Sequence, residues 1–243
     1  MALFKNAYAS HEHSLEILNM IYGYDSFLDN LKTIADMGCG RGYDSEWWAT
    51  LMTRDDPPEP HNYTVYAIDK NPDLFEKEIL EANKNIILLK GDFEYRVTPI
   101  KCDLVWAHDV LQYARNPLGC LASWKATLNE NGMLVIAVPQ TTYIQSNRLV
   151  VANYSNQYFS YNILNLMYML AVSGFDCRDA YFYKNVNSSW LFAAVYKSHV
   201  APMDPKTTTW HTLIEQGLVN DSVEQCINKY GHVRQEELLT TWL

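Results

Sequence analysis

Three glycines fall on alternate positions in the stretch DMGCGRGYD: Gly38, Gly40 and Gly42. An acidic residue, Asp36, precedes the first of them by two. Glycine permits backbone conformations and close approaches that a Cβ forbids, so the cluster marks a place where a ligand can touch main chain. The stretch follows a short apolar run, TIADMG, and opens an amphipathic one, SEWWATLMT. A glycine-rich turn between a strand and a helix is a ligand cradle, and in an open α/β sheet it lies beyond the carboxyl ends of the strands. The spacing is Asp-x-Gly-x-Gly-x-Gly rather than Gly-x-Gly-x-x-Gly, and Tyr43 stands where the third glycine of the dinucleotide pattern would fall. An aspartate beside the loop repels a diphosphate and suits a ligand carrying an ammonium or sulfonium. A nicotinamide-dependent oxidoreductase is disfavoured on that ground. Further along, Asp69, Asp92 and His108 each follow an apolar run. His108 directly follows its run, so its side chain should reach the cleft, and a histidine ordinarily titrates near neutrality, as a general base must.

The elements that would position these residues alternate from about residue 33 to residue 138. TIADMG, YTVYAID, IILLK, CDLVWA and MLVIAV read as strands. Between them, SEWWATLMT places Trp48, Leu51 and Met52 on one helical face. NPDLFEKEILEANK reads as a helix capped by Asn71, with Phe75, Ile79 and Ala82 inward. NPLGCLASWKATLNENG reads as another, burying Leu118, Leu121, Ala122 and Leu128 and stopping at Gly132. Continuous apolar strands alternating with amphipathic helices imply a doubly wound, mainly parallel sheet covered on both faces. TRDDPPEPHNY reads as an exposed loop, and residues 140–159, rich in Tyr, Asn, Gln and Ser, as a cap insertion. SYNILNLMYMLAVSGF gives a helix ending at Gly174, and CRDAYFYKN and SSWLFAAVYK are strands suited to antiparallel pairing.

Whole-chain properties narrow the function. The 243 residues carry a formal charge of −9 with no basic stripe, which argues against a nucleic-acid or membrane-surface partner. No apolar run approaches the length of a spanning helix, and the N-terminus lacks a signal-peptide core. The five cysteines are scattered and form no CxxC pair, as expected of buried thiols in a cytoplasmic protein. His11 and His13 flank Glu12, but no further Cys/His cluster completes a metal site, so no metal is expected.

The order of these segments resembles the class I S-adenosylmethionine-dependent methyltransferases, in their small-molecule branch. IADMGCGRG looks like motif I of that family, and VYAIDKNP, LLKGDFE, CDLVWAHDVLQYARNP and LNENGMLVIAVP follow in its order. The resemblance spans about residues 34–196 and implies a Rossmann-like, seven-stranded sheet whose last strand is antiparallel. It implies that S-adenosylmethionine is held by Asp36, Gly38, Cys39, Gly40, Gly42, Asp69, Lys70, Asp92 and Phe93, with His108 at the cofactor wall. Asp69 would accept from the ribose hydroxyls; Asp92 would meet the adenine amine while Phe93 lines the ring. The implied reaction is in-line transfer of a methyl group to a small molecule, the protein mainly aligning the partners and excluding water. A protein that binds the cofactor without transferring from it is the alternative.

Each residue also has a plainer reading. The glycines could serve only the turn, Asp69 could cap the following helix, and Asp92 could be a turn aspartate. His108 could be a general base or simply pack beside the cofactor. Tyr8, Tyr113 and Tyr143 are candidates to line the substrate pocket, and with Tyr154 and Tyr158 they could equally be packing residues. The chain divides by this reading into a methyltransferase domain, residues 1–197, and a helical C-terminal appendage, residues 198–243. In the appendage Trp210, Leu213, Ile214 and Leu218 share one face, and Val223, Cys226, Ile227 and Tyr230 share another. A Ser222-x-x-Gln225 capping box would start the second of these helices. The composition indicates no oligomeric state.

Overall fold

The computed structural model of the chain describes residues 30–53, 57–95, 100–139, 158–159, 161–184 and 190–233. Tyr8, Tyr143, Tyr154, most of the 140–159 insertion and the last ten residues lie outside that set. The strands are β1 (Thr33–Met37), β2 (Thr64–Asp69), β3 (Ile86–Lys90), β4 (Cys102–His108), β5 (Leu128–Pro139), β6 (Phe175–Lys184) and β7 (Trp190–Lys197). They form a single sheet in the order β3-β2-β1-β4-β5-β7-β6. β1 to β5 are mutually parallel, and β7 runs antiparallel to β5 and β6. The helices are α1 (Tyr43–Ala49), α2 (Lys77–Ala82), α3 (Pro117–Thr127), α4 (Ile163–Val172), α5 (Trp210–Glu215) and α6 (Asp221–Tyr230). No helix among the described residues is long and apolar enough to cross a membrane.

The two-residue period of the strands divides the core. Ile34, Val65, Ala67, Leu104, Trp106 and Val135 point to one face, where Trp48, Phe75 and Ile79 cover them. Ala35, Met37, Ile68, Val105, Ala107 and Ile136 point to the other, against Leu121, Trp124, Leu166 and Leu170. Both faces are dry, which is why the strands read as unbroken apolar runs. Leu213 and Val223 of the C-terminal helices, with Leu218 and Val219 between them, join the second cluster. The Cys177 N–H donates to the Leu218 carbonyl at 2.9 Å and the Tyr168 hydroxyl to the Thr208 carbonyl at 2.7 Å.

Several boundaries differ from those read in the sequence. α1 stops at Ala49, and Met52 instead bridges to Pro60 across the exposed loop. Asn71 caps nothing with its side chain; a single 3-10 turn, Pro72–Leu74, precedes α2, and Ala82 is exposed. The Asn71 backbone N–H is spent on Asp69, which the capping reading left out. α3 ends five residues before Gly132, because Leu128 already begins β5. Asn116 caps α3 as expected, accepting from the Gly119 N–H. α6 is capped by Asn220, not by a Ser222 box, since Asn220 accepts from the Ser222 N–H. Local hydrogen bonds of neighbouring polar residues compete for such ends, and their order along the chain does not decide which wins.

At the edge opposite the glycine loop, one carboxylate joins three strands. Asp103 accepts from the Lys32 and Thr33 N–H groups, from Thr33 Oγ1 at 2.8 Å and from Asn129 Nδ2 at 2.7 Å. Partial burial raises its carboxyl pKa, but the bonds from Asn129, Thr33 and Lys32 outweigh that and hold it below the usual carboxylate range. Asp103→Ala should cost about 2–3 kcal/mol, the worth of one or two bonds to a charged group. Because the folded pKa is depressed, this contribution is complete above the unfolded carboxylate range and lost as pH falls through the folded value. Urea denaturation should therefore show the gap between variant and wild type at pH 7 and see it shrink below about pH 4.

Candidate functional site

The strand order reverses at β1: β2 and β3 lie to one side of it, β4 and β5 to the other. This switch point opens a crevice at the carboxyl ends of the strands. The turn Gly38–Gly42 between β1 and α1 occupies it. Gly38, Gly40 and Gly42 have φ of +74°, +50° and +88°, a left-handed region that other residues avoid. They also differ in what surrounds them. A Cβ on Gly42 would fall 2.3 Å from the Phe75 ring, and one on Gly38 would fall 2.9 Å from Val110. A Cβ on Gly40 would meet no atom nearer than the Gly38 carbonyl, at 4.0 Å. Gly38 and Gly42 are thus required by packing, whereas Gly40 faces open space and leaves its backbone accessible.

The loop hangs on β2. The Gly38 and Cys39 N–H groups both donate to the Ile68 carbonyl, at 2.7 and 3.1 Å. The Gly40 N–H donates to Asp69 Oδ2 at 3.0 Å, and the Asn71 N–H to Asp69 Oδ1 at 2.8 Å. A carboxylate offers about four acceptor directions, so Asp69 retains capacity for two further donors at the mouth of the loop. Asp36 lies beneath the turn, 2 % exposed, and accepts from Ser45 Oγ at 2.5 Å. It ties β1 to α1 beneath the glycines. Cys39 is buried between Asp36 and Asp69; burial first, then those two charges, raise its thiol pKa far above the ordinary value, so it is no nucleophile. Lys70 is exposed at the rim.

The β3 side of the crevice is held by Asp92, whose plainer reading was a turn aspartate, and by groups that the sequence reading missed. Asp92 forms an Asx turn, accepting from the Glu94 N–H at 3.0 Å. Trp124 Nε1 reaches across from α3 to donate to the Phe93 carbonyl at 2.8 Å. Glu94 accepts from the Arg115 N–H at 3.0 Å. Together these pin the Asp92–Phe93 turn to α3 and leave Phe93 half-buried. A tryptophan in the last half of a helix carries no local signal of such a long-range bond.

On the β4 side, His108 ends the strand on the face covered by α1. Its side chain is 6 % exposed and its ring stacks on Trp106, planes 7° apart. Trp106 Nε1 donates to Asp44 Oδ2 at 2.8 Å, and His108 Nδ1 lies 3.7 Å from the same oxygen. The next residue, Asp109, takes φ +57° and accepts from the Gln112 side chain. Strained backbone of this kind collects at functional edges. Tyr113 follows in the 3-10 turn Leu111–Tyr113, half-buried. Asp44 gave the sequence reading no signal beyond an acidic residue in a first helical turn, where the helix dipole alone favours one. The described structure thus assembles Asp36, the glycine turn, Asp69, the Asp92–Phe93 turn and His108 along one edge.

This is the fold of class I methyltransferases. Residues 35–136 match the family described as methyltransferase domain. Among solved structures it is similar to an O-methyltransferase family protein from Burkholderia thailandensis, at 13% identity and a TM-score of 0.56. That likeness covers 76% of this chain and 56% of the other, so this chain spans little more than half of that relative. The N-methyltransferase NodS from Bradyrhizobium japonicum, in complex with S-adenosyl-L-homocysteine, is similar at 14% identity and a TM-score of 0.54, covering 77% of this chain and 86% of NodS. So is the 1,6-didemethyltoxoflavin-N1-methyltransferase of Burkholderia thailandensis, at 15% identity and a TM-score of 0.53, covering 81% of this chain and 93% of that one. No curated protein matches the sequence.

The unequal surroundings of the glycines predict unequal tolerance. Gly42→Ala should destabilise by roughly 2–4 kcal/mol, combining left-handed strain with overpacking against Phe75. Gly40→Ala carries the strain alone, about 1–2 kcal/mol. Thermal denaturation of the two variants should preserve that ranking.

Proposed function

We propose that this chain binds S-adenosylmethionine in the β1–β2–β3 half of the crevice and transfers its methyl group to a small-molecule acceptor beyond β4. The observation that carries the reading is the pairing of an open Gly40 with the Asp69 carboxylate. A backbone with no Cβ in the way lies beside a carboxylate that has acceptor sites to spare, which suits the ribose and the methionine chain of that cofactor. Asp36 sets a negative charge beneath the cationic part. Asp92 and Phe93 stand where the adenine edge and face would lie. When bound, the cofactor supplies a sulfonium methyl, an electrophile with its leaving group already in place. The chain's own task is then to orient the acceptor and exclude water.

The neighbours support the reading by their chemistry. One is complexed with S-adenosylhomocysteine and another methylates a small heterocycle. The acidic balance, −9 overall, suits a small molecule better than a nucleic acid or a membrane surface. Cys39, Cys102, Cys120 and Cys177 are buried free thiols, which suits a reducing, cytoplasmic setting. Residues 198–243 are read as an appendage that stabilises the domain without touching the cofactor.

In a thermal-shift assay S-adenosylmethionine and S-adenosylhomocysteine should raise the melting temperature, and NAD should not. The reverse ranking would overturn the assignment. By calorimetry, Asp69→Ala should weaken S-adenosylhomocysteine binding by about 1.5–3 kcal/mol per lost bond to the charged group. Gly40→Val should abolish binding in a protein that circular dichroism shows to be folded. Truncation after Lys197 should lower the melting temperature but leave cofactor affinity within about threefold, under 1 kcal/mol. A folded truncation that cannot bind would place the appendage in the site.

A further inference from the structure

The C-terminal helices border a cavity that the methyl-transfer reading does not use. Its volume is about 650 Å³, within the range of small-molecule sites. The first turns of α4 form one wall, and the start of α5 and the end of α6 form the other. None of its lining residues belongs to the glycine turn, to the Asp92–Phe93 turn or to the ends of β2 and β4. Leu164, Ile227 and Val233 make it apolar in part. Trp210 stands edge-on to Tyr168, ring centroids 5.3 Å apart, and the Tyr168 hydroxyl is spent on the Thr208 carbonyl.

The polar groups of the lining are of one kind. Asn162 and Asn165 line the cavity at the start of α4, and each Oδ1 accepts the other's backbone N–H at 2.9 Å. That exchange fixes how both amides are turned and leaves each with its NH₂ group, a donor. Trp210 adds an indole N–H, and His211 and His232 each add an imidazole that donates from at least one nitrogen. None of these side-chain donors has a hydrogen-bond partner among the described residues. The chain holds 28 acidic residues, yet no carboxylate is among the described lining residues, and neither is a lysine or an arginine. Neutral donors above an apolar floor match a singly charged anion. A phosphate dianion calls for Arg or Lys, and an ammonium would find no carboxylate to pair with.

We propose that this cavity is a second ligand site, for a monocarboxylate with an aromatic body. The carboxylate oxygens accept from the Asn162 and Asn165 amides and from the imidazoles, and the aromatic body lies against Trp210, Leu164 and Ile227. One wall is α4 and the other is α5 and α6, so occupancy joins the three helices and raises stability.

The probe is 2-naphthylacetate, titrated by calorimetry into the full chain, with 2-naphthylethylamine as a similar body bearing a cation. The acid should bind and the amine should not. Saturating S-adenosylhomocysteine should leave the affinity of the acid within about threefold. Displacement by that ligand would put the probe in the crevice and overturn the proposal. Asn162→Asp keeps a helix cap but sets a carboxylate where an amide donor stood. It should weaken binding of the acid by roughly tenfold or more, through the lost bond and the like charge, with the ligand-free melting temperature unchanged. His232→Ala leaves the His232 carbonyl in place for Cys226 Sγ and should weaken binding a few-fold. It serves as the second variant if Asn162→Asp does not fold. Unchanged affinity in a folded variant, or tighter binding of the amine than of the acid, would overturn the proposal. So would failure of the wild-type chain to bind the acid, the result expected if residues 234–243 themselves fill the cavity.

Discussion

The site depends on three backbone donors in the turn after β1 and where they end. Gly38 and Cys39 give their N–H groups to one carbonyl, that of Ile68, and Gly40 gives its own to the Asp69 carboxylate. All the acceptors belong to the last two residues of β2. The turn is thus fastened to the neighbouring strand as well as closed on itself, the Gly42 N–H donating to the Cys39 carbonyl at 2.8 Å. That attachment forces the left-handed dihedrals, and the dihedrals exclude any residue with a Cβ at little cost. It also brings a carboxylate to the mouth of the turn without requiring a helix cap. Displacing β2 by one residue would turn Asp69 to the other face of the sheet.

The sheet holds this attachment still. β1 is paired on both sides, by β2 and by β4, and its residues are buried on both faces. Asp36 is paired in register with Trp106 of β4, so the charge beneath the turn and the indole that fixes Asp44 stand side by side. The two halves of the crevice are therefore coupled through β1. On its outer flank, Trp124 and Glu94 fasten the Asp92–Phe93 turn to α3 and the residues just before it. The edge combines accessible backbone with little freedom to move, as a site that works by alignment needs.

The opposite edge has the inverse character. Asp103 gathers donors from β1 and β5, and Lys197 closes on the Leu128 carbonyl and Glu130. Lys125 reaches the Val200 carbonyl under partial burial, which lowers its pKa below the ordinary lysine value. These groups are mutually satisfied and leave no cradle. Mutually satisfied polar groups gather at one end of the strands and the open glycine turn at the other, the usual division in a parallel sheet fed by crossovers.

The sequence by itself determined the strands, the two-sided core and the presence of a cradle. Strands buried on both faces need unbroken apolar runs, and a turn of left-handed residues needs glycines; both are local demands written in consecutive residues. It also placed His108, which ends a strand, while Asp69 and Asp92 were read through the resemblance. What it could not show was partnership. Ser45 under Asp36, Trp124 on the Phe93 carbonyl, and Asp44 between Trp106 and His108 join residues 9 to 64 positions apart. Helix ends went astray for the same reason: Asn71 gives its N–H to Asp69 and Asn220 overrides Ser222, choices set by which neighbour is in reach. Only tertiary structure decided that one glycine faces open space while two are packed shut. A glycine's sequence context reports the dihedral it can adopt, but the atoms that a Cβ would meet belong to Phe75 and Val110, brought there by other strands and turns.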